Sequence, residues 1–451
     1  MGTKEKKEGY LFDNRALFAL ILPLVVEQML AVLVGMADSI MIASVGESAV
    51  SGVSLVDGVM LLLINAFSAL ATGGAVVTGQ YLGQKNIEKA GEAAKQLVWF
   101  LAFLAVGVMV LLYVAKGFVL YVVFGQITAE VRGYANVYFM IVVASIPFVA
   151  LYNAGAAIFR VMGNSKVSMQ VSIVMNIINF VGNAVLIYGF HRGAEGVAIP
   201  TLISRMVAAI LILWMLMRKD LPISLPRTLH YRMNGSMVKK ILYIGIPNGL
   251  ENSMFQLGKI MVLSLVSTFG TYAIAANAVS NVVASVQILP GMAMSLAITT
   301  VISQCIGASA YDQARYYTKK LHGIAYVCMV VTVGITFLAL PLILKIYNLS
   351  PVTAEETRKI LFFHGCCACL IWPIAFNLPA VFRASGDVKF SMVTSIISMW
   401  ICRIVFSYIL GKYMGFGVFG VWMAMILDWC VRAVCFVIRY RSGKWKGKAV
   451  V

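Results

Sequence analysis

Charge-poor apolar stretches of about 20 or more residues recur along the whole chain. Each is long enough to cross a hydrocarbon layer of about 30 Å as a helix. Twelve can be drawn, near 16–44, 50–82, 95–124, 132–159, 167–189, 193–217, 240–269, 272–306, 320–345, 360–382, 389–411 and 417–438. A backbone in lipid must satisfy its own hydrogen bonds, which leaves helices or a closed barrel. Barrel strands alternate with period two over about 10 residues, whereas these stretches are longer and solidly apolar. An all-α integral membrane protein is therefore expected. Composition enters at one point: with only 12% charged residues, 451 residues could not be given a water-soluble surface. The first stretch is longer than the apolar core of a cleavable signal peptide and eleven more follow, so it is read as a span.

The formal charge of +18 would suggest nucleic acid in a soluble protein. Sorted by loop, however, 25 Lys and Arg fall on the side of the two termini and 7 on the other. By the positive-inside tendency, both termini are expected to be cytoplasmic. The excess charge then marks topology and contact with anionic headgroups, and no nucleic-acid partner is expected.

The chain also repeats itself. Shifted by 224 residues, Pro23 meets Pro247, Glu27 meets Glu251, Gly46 meets Gly270, Gln80 meets Gln304 and Gly83 meets Gly307. Asn153 meets Asn377, and with a slip of one residue Arg160, Gly163 and Lys166 meet Arg383, Gly386 and Lys389. Six spans in each half return the chain to its starting side, so the halves share one orientation. A pseudo-two-fold axis along the membrane normal follows, as in transporters that rock one lobe against the other. The expected division is a tail at 1–15, an N-lobe at 16–217, a basic linker at 218–239, a C-lobe at 240–438 and a basic tail at 439–451.

Five acids lie in spans: Glu27, Asp38, Asp57, Glu251 and Asp428. An ionisable group in a bilayer is costly and by default marks function. Glu27 and Asp38 are 11 residues apart, 20° beyond three full turns, so they share a face about 16 Å apart along the helix axis. A carboxylate in such a place binds a proton, or Na⁺ if other oxygens help. Asn179 and Asn183, at i and i+4 on the fifth span, and Thr201 on the sixth are candidate helpers. Interhelical hydrogen bonding is the alternative reading of these amides and hydroxyls. Asp57 lies near the far end of its span, where solvation or a role in transport are both open. Glu27 and Glu251 either tie helix ends together, pair with basic residues, or serve transport. Asp428 is expected to pair with Arg403 or Arg432 in a structural bridge. Cys366, Cys367, Cys369 and His364 resemble a metal set by type, but within a span they read as packing residues.

Pro23 and Asp38 on the first span, Gly46-Glu-Ser-Ala-Val-Ser-Gly52 after it, Gln80-Tyr-Leu-Gly83 and their second-half counterparts together resemble the multidrug and toxic compound extrusion (MATE) family. So does the run from Asn179 to Gly189 followed by Gly196-Val-Ala-Ile-Pro-Thr201. The resemblance covers essentially the whole chain. It implies an H⁺- or Na⁺-coupled antiporter that exports organic, often cationic compounds by alternating access. Asp38, Asn179, Asn183 and Thr201 would form the cation site of the N-lobe, with Glu27, Glu251 and Asp57 as secondary candidates. Asn183 stands where many prokaryotic relatives carry Asp, which leaves Asp38 as the sole carboxylate of the set. Phe255-Gln256-Leu257 stands where some relatives carry a second-lobe acid. A multi-pass protein of a prokaryotic plasma membrane is expected, a monomer in contact with lipid, with no cofactor and no metal beyond the coupling ion.

A flippase for lipid-linked precursors, from the same superfamily, is the alternative. Five acids against four bases within the spans argue against the strongly cationic cavity that a pyrophosphate would need. A membrane-embedded enzyme would need a nucleophile or a metal motif such as H-E-x-x-H, and the four His, at 191, 230, 322 and 364, are scattered.

Overall fold

The computed structural model describes residues 10–451 apart from 126 and 227–230. Most of the expected N-terminal tail and four residues of the expected linker thus lie outside the described residues. No β-strand occurs among those described. The first half contains α1 (Asn14–Ala43), α2 (Glu47–Gly83), α3 (Ile87–Val114), α4 (Ala129–Val143), α5 (Ile146–Val161), α6 (Ser165–Gly189) and α7 (Glu195–Leu216). The second contains α8 (Gly235–Ser267), α9 (Thr271–Gly307), α10 (Tyr311–Ile346), α11 (Pro351–Ser385), α12 (Val388–Tyr413) and α13 (Gly417–Arg441). Ten of these are long and apolar enough to cross a membrane, or eleven if α4 and α5, bent by 47° at their junction, count as one span. Helix α8 is 33 residues long but carries Lys239, Lys240, Glu251 and Lys259, which dilute its hydropathy.

The sequence dictates several local features. Short turns between α1 and α2 and between α8 and α9 pass through Gly46 and Gly270, whose φ of 138° and 101° are ready only for glycine. Pro23 and Pro247 sit inside α1 and α8, where neighbouring helices compensate for the missing N–H. Wide turns interrupt α6, α11 and α12 (Val185–Gly189, Pro373–Asn377 and Met399–Val405). Large apolar side chains such as Leu338 and Val114, 86% and 81% exposed, point outward to the medium that replaces water around these helices.

The halves exchange their helix starts. Leu17, Leu20 and Leu24 of α1 join the apolar cluster built by α9, α10 and α11. Met237, Ile241 and Ile244 of α8 join the cluster built by the first half. Both ends of the described chain lie on this face of the bundle: Leu11 N donates to Gln313 Oε1 at 2.9 Å, and Val450 N donates to Gln80 Oε1 at 2.9 Å.

That face is where the halves close on each other. A Cβ on Gly83 would lie 2.0 Å from the Gln304 carbonyl oxygen, and one on Gly307 would lie 1.9 Å from the Gln80 carbonyl oxygen. Only glycine permits so close an approach of two helix backbones. The two glutamines clasp across the seam: Gln80 Nε2 donates to the Ala384 carbonyl at 2.9 Å, and Gln304 Nε2 to the Val161 carbonyl at 2.6 Å. Further from this face, Gly73 still meets Ile241 and Gly245. Beyond that level Asp57 and Leu61 of α2 are exposed.

Candidate functional site

In the first half, α1, α6 and α7 bring together the four side chains expected at the cation site. Asn183 Nδ2 donates to Asp38 Oδ1 at 2.7 Å. With the Asn179 amide turned so that its nitrogen faces the carboxylate, it donates to Asp38 Oδ1 at 2.9 Å, and its oxygen accepts from Thr201 Oγ1 at 3.0 Å. The opposite orientation would set oxygen against oxygen. The Thr201 hydroxyl has one proton and a second acceptor in reach, the Val197 carbonyl at 2.8 Å. Asn179, Asn183 and Thr201 are buried while Asp38 is half-buried, and Asn183 Oδ1 is buried with no hydrogen-bond partner among the described residues. No ion pair to Asp38 is present among the described residues. The charge is therefore held by amide dipoles and not by a neighbouring cation at contact distance.

The i, i+4 spacing on α6 is what aims both amides at α1. With the amides rotated so that oxygen replaces nitrogen toward Asp38, the set would offer a carboxylate, two amide oxygens and a hydroxyl. These are the hard oxygen donors that an alkali cation takes, and the same carboxylate is a proton acceptor.

Asp57 is exposed and accepts from Tyr138 of α4 at 2.8 Å. Arg205 of α7 lies within electrostatic reach of both Asp38 and Asp57, and donates to Ser145 Oγ at 2.8 Å. The sequence reading did not single out Tyr138 or Arg205 as site residues. Arg205 at least carried a signal, as the one base of the first half that was not assigned to a loop.

Glu27 stays apart from Asp38. It is buried, accepts from Ser168 at 3.0 Å and from Tyr152 at 3.4 Å, and so ties α1 to α5 and α6. Glu251 occupies the mirrored place. It pairs with Arg383 at 3.8 Å and accepts from Ser391 at 3.4 Å. Asp428 bridges Arg432 at 2.9 Å, one turn along α13, and not Arg403. His364 faces Gln287 Oε1 at 2.6 Å and stands edge-on to the rings of Trp422 and Trp429. No cluster of His, Cys, Asp and Glu that could hold a metal ion is present among the described residues.

The second half holds a cavity of about 350 Å³ that sequence reasoning missed. Leu61 of α2 closes one side of it, and the rest comes from α8, α9, α12 and α13. Lys259 and Arg403 line it, and no acid does.

The profile of the MatE family matches residues 23–185 and again 247–409. Among curated proteins the chain is similar to the uncharacterized transporter YisQ of Bacillus subtilis, 28% identical with 96% of each chain covered. It is also similar to the probable multidrug resistance protein NorM of Thermotoga maritima, 25% identical over 97% of this chain and 94% of the relative. Among solved structures, a multidrug resistance MATE transporter in an outward-facing conformation superposes with a TM-score of 0.89. That structure is 21% identical and covers 95% of this chain and 96% of its own.

Proposed function

The chain belongs to the MatE family, whose profile its two halves match in succession, and from that premise we propose that this multi-pass membrane protein is a cation-coupled antiporter. It exports small organic compounds by alternating access, in exchange for H⁺ or Na⁺. The reading takes twelve spans in two six-span lobes, with α4 and α5 together as one span and α8 as another. It divides the chain at the 218–239 linker and places both termini in the cytoplasm, on the side with 25 of the basic residues. It takes the working unit to be a monomer.

One observation carries this reading: Asp38, half-buried among amides and a hydroxyl, has no ion-pair partner among the described residues. A coupling ion must bind one conformation better than the other to drive exchange. Binding at Asp38 would alter the hydrogen bonds joining α1 to α6 and α7, and so would favour one packing of the first half. The seam at Gly83 and Gly307, closed on the side of the termini, fits a transporter open to the opposite side.

The test is export from proteoliposomes, with pH and Na⁺ gradients imposed separately. One gradient should drive flux in the wild type, and Asp38→Asn should abolish that response at equal protein content. Gradient-driven flux that survives Asp38→Asn would sink the proposal.

A further inference from the structure

The second-half cavity is charged in an unusual way. Lys259 Nζ lies 5.0 Å from the centre of the Phe255 ring, and the Arg403 guanidinium lies 5.3 Å from the same centre. Arg432 is close behind at 5.8 Å, but Asp428 neutralises it. Arg403 is only 8% exposed, its Nε is buried without a partner, and its guanidinium makes no hydrogen bond to a described residue. Lys259 is open to the cleft and has neither hydrogen bond nor ion pair among the described residues. His364, the other titratable group nearby, is engaged by Gln287. Neither cation thus has an ion-pair partner at contact distance among the described residues, and the acid that acts on Arg403, Asp428, is bridged to Arg432.

One polar neighbour, Asn277, has the matching polarity, whereas Asn281 spends an amide N–H on the Asn277 carbonyl at 2.8 Å. Asn277 Oδ1 is occupied by Trp422 Nε1 at 3.0 Å, which leaves its amide N–H groups to donate. Apolar wall is supplied by Val262, Leu263, Val421 and Met425. The volume falls in the range of small-molecule sites.

The internal repeat places this cavity where the first half keeps its acids. Shifted by 224 residues, Asp38 falls on Val262, Asp57 on Asn281 and Asn179 on Arg403, or on Cys402 with the one-residue slip of the later spans. Val262 and Asn281 line the cavity, as does Arg403, the neighbour of Cys402.

We propose that this cavity is the substrate site and that it takes an organic anion. A carboxylate, sulfonate or phosphate sits between Lys259 and Arg403, with its apolar body against Trp422 and Met425. The inference narrows the substrate class within the exporter reading and rests on it. It also departs from the cationic compounds expected from resemblance alone.

Two xanthene dyes of similar shape and opposite charge, carboxyfluorescein and rhodamine 123, test it. Binding to the purified full chain is read by fluorescence anisotropy. Carboxyfluorescein should bind at least about tenfold more tightly than rhodamine. Lys259→Gln and Arg403→Gln should each weaken it by about tenfold, or about 1.4 kcal/mol. Lys259→Arg, which keeps the charge, should largely retain binding and so guards against a mere folding defect. Rhodamine preferred over carboxyfluorescein, or anion binding indifferent to both Gln variants, overturns the anionic site. Proteoliposome flux of the same dyes separates the two readings: anion binding without flux of either dye supports the site and defeats the exporter. A dithionite assay of fluorescent phosphatidylglycerol flipping distinguishes a lipid headgroup from a free anion as the source of the charge. Transfer of either supports the anionic site.

Discussion

The two halves descend from one pattern, yet they hold opposite charges at corresponding depth. Setting aside the charges assigned to the loops and span ends, the first half carries three acids and one base: Glu27, Asp38 and Asp57 against Arg205. The second carries two acids and three bases, and each of its acids faces a base, Glu251 with Arg383 and Asp428 with Arg432. Where the halves meet they stay alike. Gly83 mirrors Gly307, and Gln80 donating to Ala384 mirrors Gln304 donating to Val161. Where they enclose space they diverge. On the proposed reading, the seam is kept symmetric while one half binds the coupling ion and the other the cargo.

The largest expected effect breaks this comparison at its centre. Asp38→Asn should remove the response to ion gradients altogether. Lys259→Gln should raise the half-saturating substrate concentration about tenfold. Both are read as flux against substrate at each imposed gradient. If Lys259→Gln removed the ion response as Asp38→Asn does, the division of labour between the halves would be wrong.

Next in size is a substitution that makes the second half resemble the first. Asn281→Asp puts an acid at the mirror of Asp57, on the wall shared with Lys259 and Arg403. Carboxyfluorescein affinity should drop by about three- to tenfold, since a carboxylate there competes with the ligand for the same cations. Unchanged affinity would place the anion elsewhere.

The seam offers a test of likeness in place of difference. Gly83→Ala and Gly307→Ala each force a Cβ into a partner backbone, and each should destabilise by about 1–3 kcal/mol. The measurement is thermal unfolding in detergent, and the two losses should match within about 1 kcal/mol. A large inequality would show that the seam is less symmetric than its distances.

The smallest effect concerns Tyr138→Phe, which deletes the hydrogen bond to Asp57. A loss of about 1 kcal/mol is expected, because Asp57 is exposed and water can replace the phenol. A collapse of transport would promote Tyr138 to the ion pathway.

Much of this was legible in the sequence for physical reasons. Lipid demands continuous helices, so apolar runs announce themselves, and the repeat places Gly46 and Gly270 at equivalent turns. Asp38 stood out because a carboxylate in a span needs partners, and the i, i+4 spacing of Asn179 and Asn183 supplied them. Helical arithmetic set Glu27 on the same face as Asp38, but about 16 Å is enough for α5 and α6 to give it a different company. The cationic cavity was missed because acids and bases were weighed over all the spans together, five against four, when the two halves had segregated them. The repeat already set Arg403 beside the position of Asn179, and that was the available signal. Helix α8 fails a hydropathy test for a related reason: its charges serve the seam and the cavity rather than lipid.

The exchanged helix starts carry a consequence for dissecting the chain. A protein of half this length would expose the first turns of its leading helix, with no core of its own to receive them. The opposite half supplies that core and is completed in return. For the same reason, the two halves produced as separate polypeptides should each be a poor protein alone and should reassemble when made together.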